Sequence, residues 1–187
     1  GEQAIRFHLA DASKASPPER YGRVVSRFGV MFFEDPQAAF SNLASWLAPE
    51  GRIAFAVWAP PSENPWNATV REVVARIVDV PAPEPDAPGP FRYGDASKFV
   101  ALLERSGFAD LVVRDWRGAL PMGGGLPAAR AAEFALASAA FGELLGRAGE
   151  DAVREATRAL TETFGGQEEG GVVRLGACVH LVTGVRR

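Results

Sequence analysis

Apolar and polar residues alternate loosely through Ile5-Arg6-Phe7-His8-Leu9-Ala10 and stop at Asp11. A period of two predicts a short strand over 5–10 whose carboxyl end carries Asp11-Ala12. Residues 13–20 are polar and contain Pro17-Pro18, so they read as a loop. Arg23 to Ser26 predicts a second strand centred on Val24-Val25. Asp35-Pro36 then starts a helix, with Asp as the cap and Pro at the first helical position. Phe40, Leu43 and Leu47 follow at helical spacing, and Pro49-Glu50-Gly51 ends the run. Ile53 to Trp58 is apolar on both faces, the pattern of a strand in a parallel sheet covered by helices on each side.

The second half of the chain repeats this alternation of periods. The loop "APPSENPW" leads into a helix over about 66–78, and residues 81–90 carry five prolines and stay extended. Asp95 caps a helix with Phe99, Leu102 and Leu103 on one face and Gly107 at its end. Phe108 to Trp116 predicts a strand, and Gly123-Gly124-Gly125 a flexible break. Alanine-rich helical segments fill about 127–147 and 150–164, and Val172 to Thr183 forms the last strand. Strands alternating with helices imply an α/β layered fold with a mostly parallel sheet. We expect one domain over 1–187, with a helical insertion at about 120–165 that serves as a substrate lid or an interface.

Composition narrows the function more than the fold. The chain has 187 residues, 47 % hydrophobic and 23 % charged, with a net charge of -3. Its 20 basic residues form no run beyond Arg186-Arg187, which argues against a broad nucleic-acid face. Cys178 is the only cysteine, which excludes an intrachain disulfide and fits a reducing, cytoplasmic compartment. No apolar stretch approaches the roughly 20 residues that span a bilayer. His8 and His180, the two histidines, show no metal-ligand spacing with other residues and read as structural. No metal is expected.

In an open α/β sheet, ligands bind beyond the carboxyl ends of the strands. That rule selects Asp11-Ala12, Ser26-Arg27-Phe28-Gly29, and Trp58 with its loop. Asp at a strand end accepts a hydrogen bond from an exocyclic amine, Phe stacks on a flat ring, and a small residue beside glycine admits a ligand to the backbone. Together they would make an adenine-and-sugar pocket. Each residue also has a plainer role. Asp11 can simply form a turn. Arg27 can pair with Glu34 or Asp35, and Trp58 and Trp66 can be packing. Phe32, Phe33, Phe40 and Trp46 read as core, and Cys178 as a buried small hydrophobe.

The stretches "HLADA", "VVSRFGVMFFEDPQAAFSNLASWLAPEGRIAFAVW" and "SENPW" resemble class I S-adenosylmethionine-dependent methyltransferases, in particular small-molecule enzymes related to those of quinone biosynthesis. "LLERSGFADLVVRD" and "VRLGACVHLVTGVRR" fit the same family. The resemblance implies a Rossmann-like sheet and S-adenosylmethionine as cofactor. It assigns Asp11 and Ala12 to the adenine, Ser26, Arg27 and Phe28 to the cofactor lining, and Trp58, Asn64 and Trp66 to the substrate. The expected reaction is direct displacement at the sulfonium methyl by a small-molecule acceptor, with no residue identified as catalytic. The alternative is a methyltransferase-like module kept for binding or dimerisation.

Departures from the family pattern add further expectations. The glycine-rich loop and the acidic ribose-binding residue are absent, Gly22 replaces a usual Asp, and Glu50 replaces a usual glycine before Gly51. We therefore expect the C-terminal part of a longer methyltransferase, binding its cofactor weakly by itself. The family's sheet order is 3-2-1-4-5-7-6, so strands 4-5-7-6 should form the core here. The strand at 5–10, the counterpart of strand 3, loses its neighbours and must pair elsewhere, swap into a partner or dangle. The bare edge favours a homodimer.

Overall fold

A computed structural model describes residues 5–187 apart from 83, 85 and 138. The element order is β1 (Tyr21–Arg27), α1 (Pro36–Trp46), β2 (Leu47–Trp58), α2 (Pro65–Ala75), α3 (Ala96–Arg105), β3 (Phe108–Pro121), α4 (Ala128–Leu136), α5 (Ala139–Ala148), α6 (Glu150–Gly165), β4 (Glu168–Glu169) and β5 (Val172–Arg186). The strands lie side by side in the order β1-β2-β5-β3, with β4 paired to β5. This is the 4-5-7-6 arrangement expected from the sequence. β1 and β2 are parallel, with Val24 opposite Ile53 and Arg27 opposite Ala56. The N–H of Arg187, just past β5, donates to the carbonyl of Gly107, just before β3, so those two strands run antiparallel.

The chain divides into two compact units, described separately. One comprises Gly1–Val57, Pro88–Arg114 and His180–Arg187. Its α1 starts where the sequence predicts, because the Asp35 carboxylate accepts a hydrogen bond from Ala38 N at 3.0 Å and Pro36 follows. Asp95 caps α3 in the same way, through Ser97 N and Lys98 N. α1 packs on α3, and Phe40 sits at the centre of the core. Its ring lies 5.7 Å from Phe55, 5.9 Å from Tyr93 and 5.6 Å from Phe99. Phe33 touches Phe40 edge-on, but Phe32 is 53 % exposed and is not the core residue its position suggested.

Cover on both faces of this sheet was also expected; among the described residues of this unit one face is covered and the other is largely exposed. Ile53, Phe55 and Val57 are buried on the helix side, with His180 and Val182 of β5. On the opposite side Val25 is 72 % exposed, Val112 47 % and Leu181 42 %. An alternating strand pattern shows which residues share a face, not whether anything lies upon it.

The strand predicted at 5–10 does not form: residues 5–9 have no regular structure, and Ile5, Phe7 and Leu9 are exposed. A strand needs a neighbour for its backbone groups, and among the described residues none is paired with this segment.

The second unit comprises Trp58–Ala87 and Asp115–Val179. Its core joins Val70, Val73 and Val74 of α2 to Leu160 and Phe164 of α6 and Leu175 of β5. α4 lies closely on α6 because Ala131, Ala132 and Ala156, all fully buried, keep both surfaces low. The expected helical run at 127–147 is two helices, α4 and α5. α4 follows Pro127 and has no cap of its own; the Glu168 carboxylate instead accepts from Ala128 N at 2.7 Å.

Candidate functional site

Two turns at strand ends hold most of the residues singled out in the sequence. The first closes β1. Phe28 N donates to Ala56 O at 2.9 Å, one step beyond the β1–β2 ladder, and the Phe28 backbone then turns to φ +60°. That left-handed conformation costs a residue with a Cβ about 1–2 kcal/mol. The following segment is held in place: Gly89 N donates to Met31 O at 3.1 Å, and the Arg92 guanidinium donates to Phe33 O. Ser26 is half-buried, and a Cβ at Gly29 would come within 3.2 Å of its hydroxyl. Arg27 is exposed, and neither Glu34 nor Asp35 forms an ion pair with it. Ser26, Arg27 and Phe28 are therefore together, with a hydroxyl, a cation and a ring at one strand end.

Asp11 and Ala12 do not join them. The Asp11 carboxylate accepts from Ser13 N at 2.9 Å and from Ser13 Oγ at 2.7 Å, with Lys14 Nζ 3.7 Å away. These bonds hold its pKa below the ordinary carboxylate value, the Ser13 hydroxyl contributing most. The turn is then tied down by Asn42 Nδ2, which donates to Ala12 O and Ala15 O, and by Trp46 Nε1, which donates to Ala15 O. Asn42 and Trp46 lie in the last turns of α1, the end from which β2 begins beside Tyr21. Asp11 thus sits toward the amino end of β1, whereas Ser26–Phe28 close its carboxyl end. Its carboxylate closes a turn through Ser13.

The second turn follows β2, in the other unit. Trp58 and Trp66 are half-buried and stand 4.9 Å apart between ring centroids at 49°. Asn64, expected beside a substrate, has no hydrogen-bonding capacity left for one. Its amide donates to Ala59 O at 3.0 Å and Pro60 O at 3.1 Å; its oxygen accepts from Cys178 N at 3.1 Å and Trp66 Nε1 at 3.0 Å. A primary amide has two donor hydrogens and two lone pairs, and all are used inside the fully buried side chain. Asn64 clamps the turn through these four hydrogen bonds.

The geometry also shows two features that residue spacing did not flag. Glu63 forms an ion pair with Arg117, which holds the carboxyl below its ordinary value. Burial, aided by that carboxylate, pushes the thiol up, so Cys178 is a neutral buried group as expected. A lone carboxylate in a proline-flanked loop was the available signal for Glu63. In the first unit Tyr93 is stacked on Phe99 at 4.1 Å, its hydroxyl buried without a hydrogen-bond partner among the described residues, and burial pushes its pKa up to about 12. His180 is buried with Nε2 3.1 Å from Gly94 O, in keeping with a structural role; His8 is exposed in the irregular segment 5–9. Among the described residues no group of three His, Cys, Asp or Glu is placed to hold a metal, and no helix is long and apolar enough to cross a membrane.

No family model matches the sequence, and no curated protein matches it significantly. Solved structures do match. A candidate methyltransferase from Bacillus halodurans superposes with a TM-score of 0.54 at 16 % identity, covering 99 % of this chain and 73 % of its own. The YcgJ protein from Bacillus subtilis gives a TM-score of 0.50 at 17 % identity, covering 97 % of this chain and 71 % of its own. At these identities the likeness identifies a fold. It is the Rossmann-like methyltransferase fold that the sequence resemblance implied, represented here by the β1-β2-β5-β3 part of its sheet.

Proposed function

We propose that this chain is the C-terminal part of an enzyme that transfers a methyl group from S-adenosylmethionine to a small-molecule acceptor. The observation that carries the reading is the turn closing β1. Phe28 is held at positive φ at the carboxyl end of a parallel strand, between a half-buried hydroxyl and a glycine. Strain kept at the carboxyl edge of an α/β sheet marks the place where such sheets bind ligands.

The residues present fit the adenosyl end of the cofactor. Ser26 and Arg27 offer hydrogen bonds to a sugar, and Phe28 offers a ring face to a base. When bound, S-adenosylmethionine supplies an electrophilic methyl group open to displacement by an oxygen, nitrogen or carbon nucleophile. The chain's own contribution is to hold and orient. Trp58 and Trp66 are the proposed substrate wall, an aromatic pair suited to a small, partly apolar acceptor. The family's glycine-rich turn follows its first strand, which has no counterpart among the described strands, so affinity of this chain for the cofactor is expected to be low. The same reading includes self-association, supported by the exposure of Ile5, Phe7, Leu9 and Val25.

An amide-resolved NMR titration with S-adenosylhomocysteine into the millimolar range tests the cofactor assignment. Saturable shifts at Ser26 to Gly29, reproduced by adenosine, are expected. Saturation elsewhere with those amides unmoved, or no saturation, overturns it.

A further inference from the structure

β3 closes the sheet on the side away from β1; it pairs with β5, and among the described residues nothing pairs with its other edge. In the sheet order 3-2-1-4-5-7-6 it takes the place of strand 6, so this edge is the border of the whole fold. The backbone N–H and C=O groups that point outward along it are a template for a further strand. Its middle, from Arg114 to Arg117, is exposed throughout. Asp115 and Arg117 lie on one face of the strand, carboxylate and guanidinium 3.2 Å apart, and Arg114, Trp116 and Gly118 lie on the other. The Trp116 indole lies over Gly118: a Cβ there would come within 2.6 Å of Trp116 Cζ2.

What such an edge accepts follows from symmetry. Two copies of one strand, paired antiparallel about a two-fold axis, must centre on a residue that meets itself. Centred on Asp115 or on Arg117, the strand sets that charge against its own copy, and like charges directly opposite destabilise the pairing. Centred on Trp116, it sets Asp115 against Arg117 of the second copy and Arg117 against Asp115, so one register forms two opposite-charge pairs. Arg114 then stands opposite Gly118 of the second copy, over which that copy's Trp116 spreads its indole. A guanidinium against an indole face is a favourable cation–π contact.

We propose that β3 of one copy adds antiparallel to β3 of a second copy, centred on Trp116, so that the two edges close each other. The two Asp115–Arg117 pairs set the register, and the outward backbone groups of both strands are satisfied through one isologous contact. A foreign strand would have to carry the same acid and base spacing in reverse, whereas a second copy brings it by symmetry. The inference deepens the self-association part of the proposed function and does not depend on methyl transfer.

Molar mass by light scattering across about 1–200 µM, the range where weak dimers separate from monomers, tests it without reference to cofactor. The protein is expected to be dimeric at the upper end. Asp115→Lys and Arg117→Asp each place like charges opposite one another, and each alone is expected to be monomeric with an unchanged circular dichroism spectrum. Mixed in equal amounts they are expected to form a heterodimer, because each base of one variant then faces an acid of the other. Trp116→Cys is expected to crosslink to its own copy under mild oxidation. Arg114→Cys is not, because its two copies would lie about 13 Å apart along the strands, beyond disulfide reach. If Arg117→Asp fails to fold for want of its contact with Glu63, the two crosslinking variants decide alone. A monomeric wild type overturns the proposal. So does a dimer that persists in Asp115→Lys, a mixture of the two folded charge variants that stays monomeric, or Arg114→Cys linking as readily as Trp116→Cys. Failure of the S-adenosylhomocysteine titration leaves these outcomes unaltered.

Discussion

The side-chain oxygen of Asn64 accepts a hydrogen bond from the backbone of Cys178, 3.1 Å away and 114 residues later in the chain. The same side chain holds Ala59, Pro60 and Trp66. Truncating it strands buried donors and acceptors together, and each unsatisfied group costs about 1–3 kcal/mol. Asn64→Ala should therefore lose about 2–4 kcal/mol in urea unfolding. Asn64→Asp should be no better, because it removes the two donors and adds a charge. A stable Asn64→Ala protein that lost only turnover would restore the substrate role and end the clamp.

Glu50 bears on the departure from the family pattern. Its backbone sits at φ +61°, so a side chain stands where glycine is relaxed. Gly51, next to it, has no room for a Cβ: one would lie 2.8 Å from Ala48 O and 2.9 Å from Leu47 Cβ. This pair forms the irregularity where the β1–β2 register passes from Tyr21–Leu47 to Arg23–Arg52. Glu50→Gly is expected to stabilise by up to about 1 kcal/mol, the relief of strain exceeding the entropy glycine adds to the unfolded chain. Gly51→Ala is expected to destabilise. Thermal melts of the two variants moving in the same direction would contradict this account.

Glu63 should make stability depend on acid. Its carboxyl is held below the ordinary value of 4.5, the Arg117 guanidinium contributing most. A lowered folded-state value means the unfolded chain binds the proton more readily. The stabilisation is then complete above the unfolded pKa and is lost as pH falls through the folded one. Glu63→Gln should have a lower Tm than wild type at pH 7, and the gap should close below about pH 4. Arg117 is 58 % exposed, so added salt should also narrow it. Parallel Tm–pH curves would show that the pair is not coupled to folding.

Much of the sheet was legible because its signals are local. Asp35-Pro36 and Asp95 start helices with their own side chains, and the Val24-Val25 and Ile53–Trp58 runs sit in β1 and β2. What was not legible depends on distant partners. The alternation at 5–10 is a strand pattern, but among the described residues no neighbouring backbone completes it. Leu47 kept helical spacing and yet begins β2, since its pairing with Tyr21 is a long-range fact. At the site, the grouping of Ser26, Arg27 and Phe28 followed from adjacency in sequence. The separation of Asp11 from them required Asn42 and Trp46, and the saturation of Asn64 required Cys178.

Tyr93 allows a test of whether its pocket belongs to packing alone. Its ring is stacked on Phe99 and lies near Phe40, while its hydroxyl is buried with no hydrogen-bond partner among the described residues. Burying such a hydroxyl costs about 1–3 kcal/mol, and nothing in the packing recovers it. Phenylalanine keeps the ring contacts and removes the oxygen. Tyr93→Phe should therefore be more stable than wild type, by about 1 kcal/mol in denaturant unfolding at neutral pH. Burial pushes the phenol up to about 12, so wild type should also lose stability above pH 10, where the unfolded phenol ionises and the folded one does not. The variant should lack this alkaline loss. A destabilised Tyr93→Phe protein would mean that the hydroxyl is hydrogen-bonded after all, and the polar group binding it would then have to be found within the Phe40 core.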